Sequence, residues 1–129
     1  MFMSDKLISI ITPTYNYGHL IQRLLNSILR QTYKNIEMYV IDDGSIDNTK
    51  QVIFDYIEKF SKRSFTLHYI YQNHQTQSMA INNGLKLIKG DYFVWPDADD
   101  WYAKEDALEI MVKTLEDTND DISSCRCLA

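Results

Sequence analysis

Glycine and proline are scarce, at four and two residues in a chain of 129. So few breakers leave no room for a linker, and there is no internal repeat and no low-complexity tract. A single domain over residues 1–129 is therefore expected. A basic patch is also missing. Lys34, Lys59, Lys62, Arg63, Lys86 and Lys89 are scattered, and the formal net charge is −5, which argues against the electrostatic footprint of a nucleic-acid binder. No apolar run approaches the roughly 20 residues of a membrane span. The N-terminal run is short, carries Asp5 beside Lys6 and lacks a small-residue cleavage site, so it makes a poor signal peptide. A cytoplasmic location follows, reaching at most to the inner face of a membrane. Cysteine is limited to Cys125 and Cys127. One Cys-x-Cys pair is half a metal site at best, and reads better as two small apolar residues of a last strand, kept reduced.

What remains is ordinary for a globular chain, with 45% hydrophobic and 24% charged residues, and its periodicities alternate. Apolar, β-rich runs predict strands at Leu7–Thr12, Ile36–Ile41, Thr66–Tyr71 and Tyr92–Trp95, with a fifth at Asp121–Leu128. Between them, helical spacing predicts helices over His19–Gln31, over a segment capped by Asp47 or Ser45, over Ser78–Ile88 and over Glu105–Leu115. The second helix is expected to bury Val52, Ile53, Tyr56, Ile57 and Phe60, and Gly90 is expected to stop the third. This rhythm means βαβ units: an α/β fold with a mostly parallel sheet and helices on both faces. Ligands of such sheets bind outside the carboxyl ends of the strands, where strand order reverses. The segments just past the strands are PTYN, DDGS, QNHQ and PDADD, and polar and acidic residues gather in them.

Asp97, Asp99 and Asp100 crowd three like charges into four residues, which costs stability wherever they are even partly buried. An EF-hand loop beginning at Asp97 would place glycine and glutamate where Tyr102 and Leu108 stand. A phosphorylated-aspartate receiver or phosphotransferase needs its acids after the first strand. A glycine-rich dinucleotide turn and a P-loop are both absent. A divalent cation bound by oxygen fits better: Mg²⁺ or Mn²⁺ takes few carboxylates and completes its shell with water and substrate phosphates. The bland alternative is a solvated turn opening the last helix. Tyr15 lies at the expected crevice, where an aromatic ring can stack on a base or simply pack beneath its loop. In Asp42-Asp43-Gly44-Ser45, one carboxylate can accept from a base's ring N–H, or the four residues can form a tight turn and cap. Each bland reading is comfortable alone. All of them together, at three strand ends, are less so.

The stretches ISIITPTYN, SILRQTYKNIEMYVIDDGSIDNT and AINNGLKLIKGDYFVWPDADD, with the closing helix, resemble a family 2 glycosyltransferase over essentially the whole chain, in order and at family spacing. Departures are Thr76 and Ile81, where the family often has glycine and arginine, and Pro96, where it has an apolar residue. The resemblance implies the Rossmann-like GT-A fold and a nucleoside-diphosphate sugar donor, a uridine one above all. It places Pro13, Thr14 and Tyr15 along the base pocket, Asp43 on the ring N–H of uracil, and Asn82 facing the nucleotide. Asp97, Ala98 and Asp99 become the DxD motif, with Asp97 toward the ribose and Asp99 toward a metal diphosphate. Asp100 is an alternative metal ligand, and Mn²⁺ or Mg²⁺ is the implied cofactor. The implied reaction is transfer with inversion to a saccharide or lipid-linked acceptor, in polysaccharide or glycoconjugate synthesis. A non-catalytic nucleotide-sugar-binding module is the rival. The family's general base usually lies in an acceptor half past the fifth strand, so it is expected beyond Ala129. The surface such a half covers is expected to be apolar and open to oligomeric contact.

Overall fold

The computed structural model describes residues 4–73 and 76–119. The chain runs β1 (Ile8–Thr14), α1 (Ile21–Leu29), β2 (Ile36–Asp42), α2 (Thr49–Lys62), β3 (Thr66–Tyr71), α3 (Gln77–Leu85), β4 (Tyr92–Val94) and α4 (Ala107–Thr118). The expected fifth strand and both cysteines lie outside the described residues. All four strands are parallel, in the order β3-β2-β1-β4. Every residue of β1 and β2 is buried, as continuous apolar strands covered on both faces should be.

Two cores follow from the alternation of side chains along β1. Ile8 and Ile10 face one side and pack with Leu24, Leu25 and Ile28 of α1, Ile53 and Phe60 of α2, and Leu108 and Val112 of α4. Ile11 faces the other side and packs with Tyr39, Ile41 and Ala80 of α3. Each fully buried aliphatic side chain stabilises the fold by roughly 1.5–3 kcal/mol. Gly84 lets α3 settle onto β1, because a Cβ there would sit 2.6 Å from Ile11 Cγ2.

Some boundaries differ from those read off the sequence. The third helix ends at Leu85, capped by Lys86, and Gly90 does not stop it. The chain leaves the helix early because Lys89 N–H donates to Glu37 Oε2 at 2.8 Å and Gly90 N–H to Ser9 Oγ at 2.8 Å. Gly90 is needed there for close approach, since a Cβ would lie 2.3 Å from Ser9 Oγ. Ile57, expected inward, is 37% exposed. The first residue before α2 is Asn48, whose side chain makes no cap. Asp47 caps from one residue earlier, its Oδ1 accepting from Thr49 N–H at 3.0 Å and from the Thr49 hydroxyl. Ser45 instead accepts from Asn16 N–H.

Candidate functional site

Strand order reverses at β1, which has β2 on one side and β4 on the other. β4 pairs only with Ile8–Ile10, so β1 outruns it, and Pro13 sits where that side of β1 needs no ladder donor. A cleft of about 260 Å³ opens there, at the reversal where sheets of this class bind ligands.

The end of β1 forms one wall, with Pro13, Thr14, Tyr15 and Tyr17. Tyr15 is 44% exposed. The Thr14 hydroxyl is buried and has no hydrogen-bond partner among the described residues, although buried polar atoms are nearly always paired. The loop carrying Tyr15 is bolted to the loop after β2. Asn16 N–H donates to Ser45 Oγ at 2.8 Å, Ile46 N–H to Asn16 Oδ1 at 2.9 Å, and Gly18 N–H to Asp47 Oδ2 at 3.1 Å. Asn16 adopts φ 55° to make this crossing, a left-handed conformation that asparagine tolerates. Asp47 holds its carboxyl below the usual value. Burial pushes it up, but hydrogen bonds from Thr49 and Gly18 outweigh that.

The two acids of DDGS divide. Asp42, the last residue of β2, is turned away from the cleft, where its Oδ2 accepts from Tyr69 Oη at 2.5 Å and its Oδ1 from Ser45 N–H at 2.8 Å. Burial, then the Asp42 carboxylate, pushes the Tyr69 hydroxyl far above its ordinary value. Asp43 is buried and lines the cleft. Its Oδ1 accepts from Gln72 Nε2 at 2.8 Å, and Gln72 Oε1 in turn accepts from Asn83 Nδ2. Asn82, the neighbour of that donor, is exposed on α3 and is not among the residues lining the cleft.

The opposite wall is Asp97-Ala98-Asp99, reached by Gln77 from the start of α3. Ala98 is 2% exposed and packs into the larger core. Burying that small residue leaves the acids on either side of it in solvent. Carboxylate oxygens of Asp97, Asp99 and Asp100 lie within 4.8 Å of one another. Asp97 N–H donates to Asp100 Oδ2 at 3.1 Å and Asp97 Oδ1 accepts from Gln77 Nε2 at 3.1 Å. Burial, then the charges of Asp100 and Asp99, raise the Asp97 carboxyl above its ordinary value, and the Gln77 bond offsets part of this. Three hard oxygen donors at this spacing suit Mg²⁺ or Mn²⁺ and not a softer metal.

The cleft therefore gathers Pro13, Thr14, Tyr15, Asp43, Asp97, Ala98 and Asp99 from three strand ends. Tyr17 and Gln77 join them without having been picked out in the sequence. No helix among the described residues is long and apolar enough to cross a membrane.

The family model described as "Glycosyl transferase family 2" matches residues 9–129. Glycosyltransferase GlyA of Streptococcus pneumoniae is 36% identical over 123 residues, 95% of this chain and 17% of GlyA. The uncharacterized glycosyltransferase RT0329 of Rickettsia typhi is 36% identical over 94% of this chain and 36% of its own length. This chain thus spans well under half of these relatives. Among solved structures, S. aureus TarS 1–349 in complex with UDP superposes with TM-score 0.80 at 28% identity, covering 89% of this chain and 33% of that one. Mannosyltransferase PcManGT from Pyrobaculum calidifontis, in complex with GDP-Man and Mn²⁺, gives TM-score 0.76 at 29% identity, over 85% of this chain and 32% of that one.

Proposed function

The chain belongs to glycosyl transferase family 2, and from that membership we propose that residues 1–129 are the donor-binding unit of a sugar transferase. The observation that carries the reading is the cleft itself, with an aromatic and a buried acid on one wall and a carboxylate cluster on the other. A nucleoside diphosphate sugar has matching parts in the same order. In this reading Tyr15 stacks on the base, a contact worth about 1–3 kcal/mol, and Pro13 and Thr14 complete the pocket around it. Asp43, its carboxylate held by Gln72, accepts from the ring N–H of uracil. Asp97 accepts from the ribose hydroxyls. Asp99, with Asp100, holds a divalent cation, and Ala98 keeps the two acids of the pair apart. Asn82, exposed on α3 and outside the cleft lining, has no assigned contact in this reading.

Mn²⁺ or Mg²⁺ bound there supplies charge neutralisation for the diphosphate, and so a better leaving group. The remaining requirements of transfer are a positioned acceptor and a base near its hydroxyl. In this reading Asp43, Asp97 and Asp99 all serve the donor, so the base is none of the acids lining the cleft. The reaction is transfer to a saccharide or lipid-linked acceptor, with inversion, in polysaccharide or glycoconjugate synthesis on the cytoplasmic side of a membrane. Support for the donor class comes from TarS, solved with UDP, and from PcManGT, solved with GDP-Man and Mn²⁺.

Calorimetric titration with UDP and GDP, in Mn²⁺ and in chelator, tests the proposal. The expected result is tighter binding of UDP than of GDP, strong dependence on Mn²⁺, and loss of most of that dependence in Asp99→Ala. Equal UDP affinity with and without metal refutes the cation site.

A further inference from the structure

The acidic cluster stands on a loop, and a loop does not hold three like charges in place by itself. Between Asp100 and the start of α4 the chain has no regular secondary structure to support it. What it has is α1. Arg23 lays its guanidinium over the Trp101 ring, 5.1 Å from the centroid. One turn on, buried Ser27 accepts from Tyr102 N–H at 3.0 Å and donates its hydroxyl hydrogen bond to Leu24 O at 2.7 Å. One turn further, Gln31 is 1% exposed and spends its whole amide on main chain. Its Nε2 donates to Ser27 O at 3.2 Å and to Lys104 O at 2.9 Å, and its Oε1 accepts from Leu108 N–H at 3.1 Å.

The last bond stands in for a missing cap. Asp106 precedes α4 but makes no side-chain cap bond, and Leu108 N–H is one of the orphan donors of a helix start. Gln31, two residues past the end of α1, caps α4 from a distant part of the chain. Arg63 in turn grips the end of α1, donating to Leu29 O and, at 2.8 Å, to Gln31 O. Arg23 and Ser27 share one face of α1 at a spacing of four, and Gln31 follows just past the helix end. They meet residues 101, 102, 104 and 108 in the same order.

We propose that Arg23, Ser27 and Gln31 are positioning residues for the divalent-cation site, fixing the chain on the far side of the acidic cluster so that Asp99 and Asp100 keep a common focus. The role rests on the donor-binding reading above. None of the three touches the cleft, so they act through Trp101, Tyr102 and Lys104. Groups that orient a metal's ligands typically change its affinity by about 10–100-fold when removed. The exposed Arg23 contact is the weakest of the three, at a few-fold.

Two measurements on the intact chain test this. Hydrogen exchange without metal should show faster exchange of the Tyr102 amide in Ser27→Ala, and of the Leu108 amide in Gln31→Met. Titration of UDP in Mn²⁺ and in chelator should then show about tenfold weaker Mn²⁺-supported binding in both variants, with unchanged binding in chelator. Arg23→Ala, at an exposed position that cannot abolish folding, should lose a few-fold, and Arg23→Lys should recover part of it. Tyr56→Phe, which loses a bond to Asn26, a residue of α1 outside this set, should lower Tm and leave Mn²⁺ dependence intact. If the parent needs Mn²⁺ and all the stripe variants keep its Mn²⁺ dependence, the stripe is ordinary packing and the proposal fails alone. If parental UDP binding ignores Mn²⁺, the donor-binding reading fails and takes this role with it.

Discussion

Gln77 Nε2 donates to Asp97 Oδ1 at 3.1 Å, tying the first turn of α3 to the acidic loop across the cleft mouth. The bond favours the ionised carboxylate, against burial and the charges of Asp100 and Asp99, which favour the protonated one. A protonated Asp97 carboxyl no longer accepts from both ribose hydroxyls as the proposed reading requires. Mn²⁺-supported UDP binding should therefore weaken as pH falls through the raised Asp97 value, which begins above the ordinary 3.8. Gln77→Leu removes the one hydrogen bond that lowers it and should move that loss to higher pH. Calorimetry across an acidic pH series checks both. A variant whose profile overlies the parent's would show the bond to be idle.

Tyr15 and its loop make a sharper test of the base wall. Tyr15→Ala should weaken UDP binding by about 1–3 kcal/mol, and Tyr15→Phe should be nearly neutral because the π face is kept. If both variants bind as the parent does, the ring is a packing residue.

Asp42 and Asp43 stand side by side and should respond differently. Tyr69→Phe deprives the buried Asp42 carboxylate of a 2.5 Å donor. An unsatisfied buried acceptor costs about 1–3 kcal/mol, so the urea midpoint should drop while UDP affinity stays. Asp43→Ala should do the reverse in emphasis, abolishing UDP binding out of proportion to any loss of stability.

Asp47 predicts the acid limb of stability. Its carboxyl is held below 3.8 in the folded chain by Thr49 and Gly18. A depressed acid contributes stability that is present above its unfolded value and lost as pH falls through the folded one. The parent's urea midpoint should fall below about pH 4, and Asp47→Ala should flatten part of that fall. At neutral pH the same substitution should cost about 1 kcal/mol, as for a lost helix cap. An unchanged midpoint at both pH values would mean that the interlock with Gly18 contributes nothing.

Much of this was legible in the residues. LISIIT, IEMYVI and TLHYIY are β-rich runs that mark the strands; Ile8–Thr12 and Ile36–Ile41 are buried on both faces, whereas Thr66–Tyr71 lies at the sheet edge and is only partly buried. Acids and an aromatic placed just past strands marked Tyr15, Asp43 and the Asp97–Asp100 cluster. Gln77 was not legible, since it sits in a polar stretch with no period, and its role depends on a loop twenty residues on. Tyr17 is one of nine tyrosines and carries no local signal. Gln31 looks like the polar end of an amphipathic helix. It is buried only because Lys104 and Leu108 return to it from more than seventy residues away. The end of α3 was misplaced for a similar reason: Glu37 and Ser9 pull the chain out of the helix, and neither is a neighbour in sequence.

The strand order also has a consequence in time. β1 is synthesised first, yet its second edge is closed only when Tyr92 pairs with Ile8, after a loop of roughly eighty residues has been drawn in at an entropic cost that grows with length. Such non-local pairing is slow compared with hairpins and helices. Until it happens, β1 keeps an unpaired edge of the kind that invites association with other chains. The crevice between β1 and β4 does not exist before that step. In the proposed reading, nucleotide binding by this chain reports closure of the second edge of β1 as well as occupancy of a site, and a ligand present during refolding favours the closed form by mass action.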